Sequence, residues 1–351
     1  MAALEQWGDT PPDVPVAWLT TVARRRVVDA LRRAARFAPP LSNEPIAEPS
    51  DSFGDEDLLA MMFVCCHPAL PVESSVPLAL RTLCGFSIPS LSRALKTDAA
   101  ALEKRLHRAR QVLRERGVAF EPDGDVDAVL RTLYVLFFEG YVTGADELCE
   151  DAVRLARLVP ESPASHALLA LMLLSGARMP ARRNEHGDLL SLECQDRTRW
   201  RRSQIEEAFA HLAAAASGTA ITAYHLEATI AACHAIAPDY AATDWPRIVE
   251  LYDRLLALAP SPVVALQRAI AIGRARGPRA GLRALARVSG DERLDDDPVL
   301  AAAFGELKAL VGDHPGARVA YQRALELAAT DAERRFLAAK LTTLSPASGK
   351  A

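Results

Sequence analysis

The sequence predicts an all-α protein, on three observations. Half of its 351 residues are hydrophobic but only 6% are aromatic, and Ala, Leu and Arg dominate, which is a composition of strong helix formers. Runs of Val, Ile, Thr or aromatic residues alternating with polar ones, the mark of half-buried strands, are scarce. Apolar residues instead recur three and four apart in one segment after another. The length allows two or three domains with sizeable cores.

The first segment, Ala3–Trp7, is a helical fragment stopped by Gly8-Asp9-Thr10-Pro11-Pro12. A stronger helix is predicted from Pro15 to about Phe37. Trp18, Leu19, Val22, Val27 and Leu31 form its apolar stripe, and Arg24, Arg25, Arg26, Arg32, Arg33 and Arg36 cover the remainder against a single Asp29. A linker follows, Pro39 to Gly54, rich in Pro and Ser. Ser42 through Asp57 holds six Asp or Glu and no Lys or Arg, so the tether is solvated and acidic.

A new helix is expected over Asp57–Pro68. Its Cys65-Cys66-His67 invites a metal reading. A structural zinc needs four ligands at workable spacing, and adjacent cysteines on a helix point about 100° apart. With no fourth ligand evident, a buried helix end is expected. The six cysteines (65, 66, 84, 149, 194, 233) have no repeated metal spacing and are expected to be reduced.

The stretch Val76 to Arg116 reads as a short apolar helix, a turn at Cys84-Gly85-Phe86, a second short helix from Ile88 to Leu95, a break at Lys96-Thr97, and a long helix from about Asp98. This is the helix-turn-helix pattern. Ile88, Leu91 and Leu95 share one face of the short helix, and Leu102, Leu106, Ala109 and Leu113 share one face of the long one. Thr97 or Asp98 can cap the long helix. Lys104, Arg105, His107, Arg108, Arg110 and Arg114 are left outward. Leu91–Arg116 carries eight Lys or Arg against three Asp or Glu, near +5, on a chain of net charge −4. That contrast is the footprint of a nucleic-acid site, with a plain solvated face as the alternative.

Beyond Gly117 and Pro122 the chain is a series of apolar-periodic helices. They are expected at Val126–Phe138, Ala145–Val159, Ser162–Leu174, Arg201–Ala216, Ile221–His234, Trp245–Leu258, Val263–Arg276, Arg279–Val288, Pro298–Leu310, Pro315–Ala328 and Asp331–Thr343. Their pairing suggests stacked antiparallel hairpins. Tyr252 through Pro260 and Ala317…Tyr321…Ala324 match the tetratricopeptide pattern, with Gly305 at the small-residue position of a first helix. Val263–Ser289 fits that pattern poorly, and Gly277, Pro278 and Gly281 are read as a hairpin turn.

No catalytic constellation stands out, and no cofactor is expected. His225-x-Glu227 with Cys233-His234 lacks the Pro-Cys-x-x-Cys that a zinc deaminase needs. The apolar runs Leu58–Cys66 and Ala167–Leu174 fall short of the ~20 residues of a membrane span. With an acidic, polar N-terminus and no signal segment, a soluble cytoplasmic protein with no membrane partner is expected.

Several segments resemble one family, the bacterial extracytoplasmic-function sigma factors. Trp18–Arg33 (WLTTVARRRVVDALRR) resembles the end of their region two, and Phe86–Leu113 resembles region four. FVCCHPAL (63–70), FFEGY (137–141), QDRTRW (195–200), YHLEATIAACHA (224–235), TDW (243–245) and PSPVVAL (260–266) resemble the subgroup with a C-terminal tetratricopeptide-like domain. The resemblance covers nearly the whole chain. Its departures are a region two that starts partway in, Ala101 where Thr is common, Glu103 where Lys is common, and Phe138 and Gln267 where Asn is common.

The resemblance implies a non-enzymatic promoter-specificity subunit. Residues 1–38 would be part of region two, with Arg24, Arg25, Arg26, Arg32 and Arg33 on the −10 element. Residues 39–54 would be the tether. Residues 55–120 would be region four, with Asp98, Ala101, Lys104 and Arg105 at or beside −35 base edges and Arg108 and Arg110 on phosphate. Residues 126–344 would be a helical regulatory domain, organised by Glu139, Gln195, Asp196, Arg197, Trp200 and Trp245. Within QDRTRW, Asp196, Arg197 and Arg199 are expected to pair with one another and Trp200 to fill the core. The partners implied are promoter DNA, core RNA polymerase and a protein or peptide on the solenoid. A protein-interaction scaffold with a vestigial DNA-binding half is the alternative.

Overall fold

The computed structural model describes residues 55–83, 85–95, 97–118 and 125–344. Arg24, Arg25, Arg26, Arg32, Arg33 and the 39–54 tether lie outside them. Among the described residues the regular structure is fifteen α-helices, short 3₁₀ turns and one isolated bridge between Arg183 and Leu189. None of these helices is long and apolar enough to cross a membrane. The helices divide into two compact units, 55–139 with 150–160, and 140–149 with 161–344. The seam therefore runs through a helix, later than the 120–126 boundary that composition suggests.

The first unit holds α1 (Asp55–Cys65), α2 (Val72–Leu83), α3 (Ile88–Leu95), α4 (Ala99–Arg116) and most of α5 (Val126–Thr143). Leu80, Leu91, Leu102, Leu106, Leu130, Leu133 and Phe137 are fully buried in it, each contributing roughly 1.5–3 kcal/mol by leaving water. The start of α5 is tied to the end of α1, because Asp125 donates its N–H to the Cys66 carbonyl (3.1 Å). Cys65 and Cys66 are the buried helix end expected of them. The Cys66 thiol lies 3.9 Å from the Thr132 hydroxyl, and burial pushes its pKa up to about 12. The His67 ring accepts the Ala69 N–H (3.0 Å), which shapes the turn into Pro68.

The second unit is a succession of helical hairpins. α6 (Asp146–Ala156) is itself divided between the units, 146–149 in this one and 150–156 in the first. α7 (Pro163–Ala177) pairs with α8 (Arg202–Ala215), α9 (Ala223–Ile236) with α10 (Trp245–Leu258), α11 (Pro262–Arg276) with α12 (Pro278–Val288), and α13 (Pro298–Leu310) with α14 (His314–Leu327). α15 (Asp331–Thr343) packs on α14. The apolar run 167–174 lies in α7, buried on every side, as a helix apolar all round must be.

The helix starts share one device. Asp244, Asp297 and Asp313 each accept a first-turn N–H, while Pro246, Pro298 and Pro315 fill a first-turn position whose N–H has no helical partner. Capping boxes start α7 (Ser162 with Ser165) and α15 (Thr330 with Glu333).

Two hairpins close on glycine. A Cβ on Gly281 would lie 2.7 Å from the Gly273 Cα, and one on Gly305 would lie 2.8 Å from the Tyr321 ring. Gly281 is thus inside α12 at a helix crossing, not in a turn as the Gly-Pro context suggests. The turn is Gly277 alone, at φ +88°. The poorly matching segment 263–289 forms a hairpin like its neighbours.

Candidate nucleic-acid interface and the organising loop of the second unit

The α3–α4 pair is held by local bonds that its sequence supplies. Ser87 accepts the Ser90 N–H (3.2 Å) at the start of α3. Thr97 donates its N–H to the Ser92 carbonyl (3.1 Å), and the Ser92 hydroxyl donates back to the Thr97 carbonyl (2.6 Å). This reciprocal pair fixes the break between the helices. Asp98 caps α4 by accepting the Ala101 N–H (2.9 Å). Gly117 ends it at φ +58°, a left-handed cap. Before α3, Arg81 donates to the Phe86 carbonyl (2.7 Å).

On α4, Leu102, Leu106 and Ala109 are buried and Leu113 half-buried. Lys104, Arg105, His107, Arg108, Arg110 and Arg114 are all exposed. Among the described residues, Lys104, Arg105, Arg108, Arg110 and Arg114 form no ion pair with a carboxylate. Ala101 is half-buried, and the Asp98 carboxylate is engaged in the cap.

In the second unit the loop between α7 and α8 folds through 3₁₀ turns, at Met179–Ala181, Leu192–Cys194 and Arg197–Arg199. Gln195 is buried. It donates to the Leu190 carbonyl (3.2 Å) and accepts from the Arg178 guanidinium (3.4 Å). Asp196 accepts both the N–H and the hydroxyl of Thr198 (2.9 and 2.6 Å), which holds its carboxyl below the usual range. The expected pairing of Asp196 with Arg197 is overturned, while the charge of Arg199 does act on the Asp196 carboxylate. Arg197 instead donates to the His234 and Ala237 carbonyls (2.6 and 2.8 Å), where α9 ends with carbonyls that lack helical partners. Its guanidinium lies 4.6 Å from the centre of the Trp200 ring, with Arg178 at 5.5 Å from the same ring. Trp200 fills the core at 5% exposure.

Burial, with Arg178 and Arg197 nearby, lowers the His234 pKa to about 4. Its ring meets Trp245 edge-on at 5.3 Å, and Tyr240 meets Trp245 at the same distance. Glu139 is half-buried on α5 and belongs to the first unit. Sequence reasoning missed Arg182, which donates to the Tyr141 carbonyl and lies 3.6 Å from the Tyr141 ring centre. Tyr141 closes the FFEGY motif, which was the available signal.

A family model described as a family of unknown function (DUF6596) matches residues 125–216, the segment holding α5 to α8 and QDRTRW. The uncharacterized protein R00370 of Rhizobium meliloti (strain 1021) is 35% identical over 371 aligned positions, covering 98% of this chain and 87% of that protein. The chain belongs to the family of R00370. No solved structure matches it at a significant level. The match to R00370 runs across both units, beyond the segment 125–216.

Proposed function

We propose that this protein is a sigma factor of the extracytoplasmic-function type that acts in the cytoplasm. It would bring core RNA polymerase to promoters through α3 and α4, with the second unit, read as tetratricopeptide-like, regulating it in cis. The observation that carries the reading is the exposed basic face of α4, whose cations form no ion pair among the described residues, behind a short helix that packs on it. In a helix-turn-helix the N-terminal part of the second helix reaches base edges and later residues meet phosphate. That places Lys104 and Arg105 by the bases, and Arg108 and Arg110 on the backbone. Asp98 contributes by starting the helix. The second unit supports the regulatory role as a run of hairpins carrying a large cavity.

The test mixes the purified full-length chain with core RNA polymerase and a promoter-bearing duplex. Co-elution with polymerase and initiation from the duplex are expected. A chain that neither co-elutes nor directs initiation is instead a helical interaction scaffold, and the proposal fails.

A further inference from the structure

A cavity of about 310 Å³ opens among α10, α11, α13 and α15 of the second unit. Positions 267, 270, 271 and 274 of α11 and 299, 302, 303 and 306 of α13 line it, each set spaced as one helix face. Five aromatic side chains, Tyr240, Trp245, Tyr252, Tyr321 and Phe336, line it too, in a chain only 6% aromatic. Residues 191–193 of the α7–α8 loop also line it. That loop is held to α15 by Asp188, which accepts from Arg335 at 2.5 Å across 147 residues of sequence. The size and the apolar walls with few polar groups are those of a small-molecule site.

The polar groups select the ligand. Arg274 and Glu306 face each other at 2.6 Å, and Lys340 and Glu193 are the other ionised groups on the wall. The charges sum to zero, and His234 adds none near neutral pH. A guanidinium has five N–H donors, so Arg274 keeps donors beyond its contact with Glu306. A ligand with a single net charge, or a phosphate, would leave a half-buried charge unbalanced.

We propose that this cavity binds a small zwitterion with an apolar body, the chemistry of a free aromatic or aliphatic amino acid. The body lies among Trp245, Tyr252 and Phe336, the carboxylate meets Arg274 and Lys340, and the ammonium meets Glu306 and Glu193. The inference stands on the cavity alone and holds whether or not the protein acts in transcription.

The test titrates the full-length protein with L-phenylalanine and L-leucine, followed by tryptophan fluorescence. Hydrocinnamate has the phenylalanine body without the ammonium, and phenethylamine has it without the carboxylate. A saturable response to at least one amino acid is expected, with both analogues at least about tenfold weaker than phenylalanine, or about 1.4 kcal/mol. Trp245→Phe should remove the response. Glu306→Gln, which leaves excess positive charge, should narrow the gap for hydrocinnamate. Lys340→Met, at the half-exposed end of the site, should narrow it for phenethylamine, and circular dichroism melts report whether each variant folds. No saturable response to either amino acid, equal binding of phenylalanine and its analogues, or a response that survives in Trp245→Phe would each overturn the proposal.

Discussion

Gly305 of α13 lies against the face of Tyr321 of α14, so closely that a Cβ at position 305 would sit 2.8 Å from the ring. Tyr321 is 4% exposed and packs with Ala324, Ala328 and Leu337. In an unconstrained helix, Gly→Ala gains up to about 1 kcal/mol of propensity. Here overpacking costs about 1–3 kcal/mol. Gly305→Ala should therefore lower stability by up to about 2 kcal/mol in urea unfolding. A higher midpoint would show that the hairpin is not closed in this way.

The Arg197 contacts predict a specific loss. Arg197→Met keeps an unbranched apolar side chain but removes the guanidinium from the Trp200 ring and two N–H contacts to the carbonyls ending α9, which should cost about 1–3 kcal/mol. Trp200→Ala should cost on the order of 3–5 kcal/mol, because it empties a core position. Thermal melts of both variants check this. A smaller effect for Trp200→Ala than for Arg197→Met would contradict the core role of the ring.

His234 gives the stability a pH dependence. Its pKa falls from 6.5 to about 4 on folding, first through burial and then through Arg178 and Arg197. The unfolded chain therefore binds this proton more readily. Stability from this group is complete above pH 6.5 and declines as pH falls from there towards 4, by up to roughly 3 kcal/mol. Unfolding midpoints over that range should decline, and His234→Gln should flatten the slope. An unchanged slope in that variant would assign the dependence to other groups.

On α4, Arg108 and Lys104 are expected to behave differently. Arg108→Ala should weaken binding to any duplex and reduce the salt slope by about one unit. Lys104→Ala should change which duplex sequence is preferred. Binding isotherms at several salt concentrations on two sequences decide between them. An unaltered slope removes Arg108 from the phosphate contacts, and uniform losses on both sequences remove Lys104 from base reading.

The helices were legible wherever caps and periodicity agreed. Trp245–Leu258, Pro298–Leu310 and Asp331–Thr343 have the bounds that the sequence predicts, because Asp244, Asp297 and Thr330 mark their starts. The basic face of α4 was equally plain, since leucines three and four apart leave a defined remainder. The 178–201 loop was not readable, because 3₁₀ turns have no apolar period and Arg197 binds backbone carbonyls, which any residue carries. The seam inside α5 was also hidden, because a continuous helix changes neither composition nor period where its neighbours change. Cutting the chain after Glu121 would remove α5 from the first unit, so the role of the second unit is better probed by point substitution.

At Gly273 and Gly281 the main chains of α11 and α12 come together with no Cβ of their own between them, and Leu307 of α13 packs against both glycines. Main chain packed directly on main chain leaves this crossing no room to slide without a clash. The two helices therefore move as a single lever. The 289–297 segment that follows α12 is pinned in turn by Leu294 of its 3₁₀ turn, fully buried with Leu266, Leu285, Leu300 and Leu307. Leu294 and Leu307 thus couple that lever to α13 through shared core.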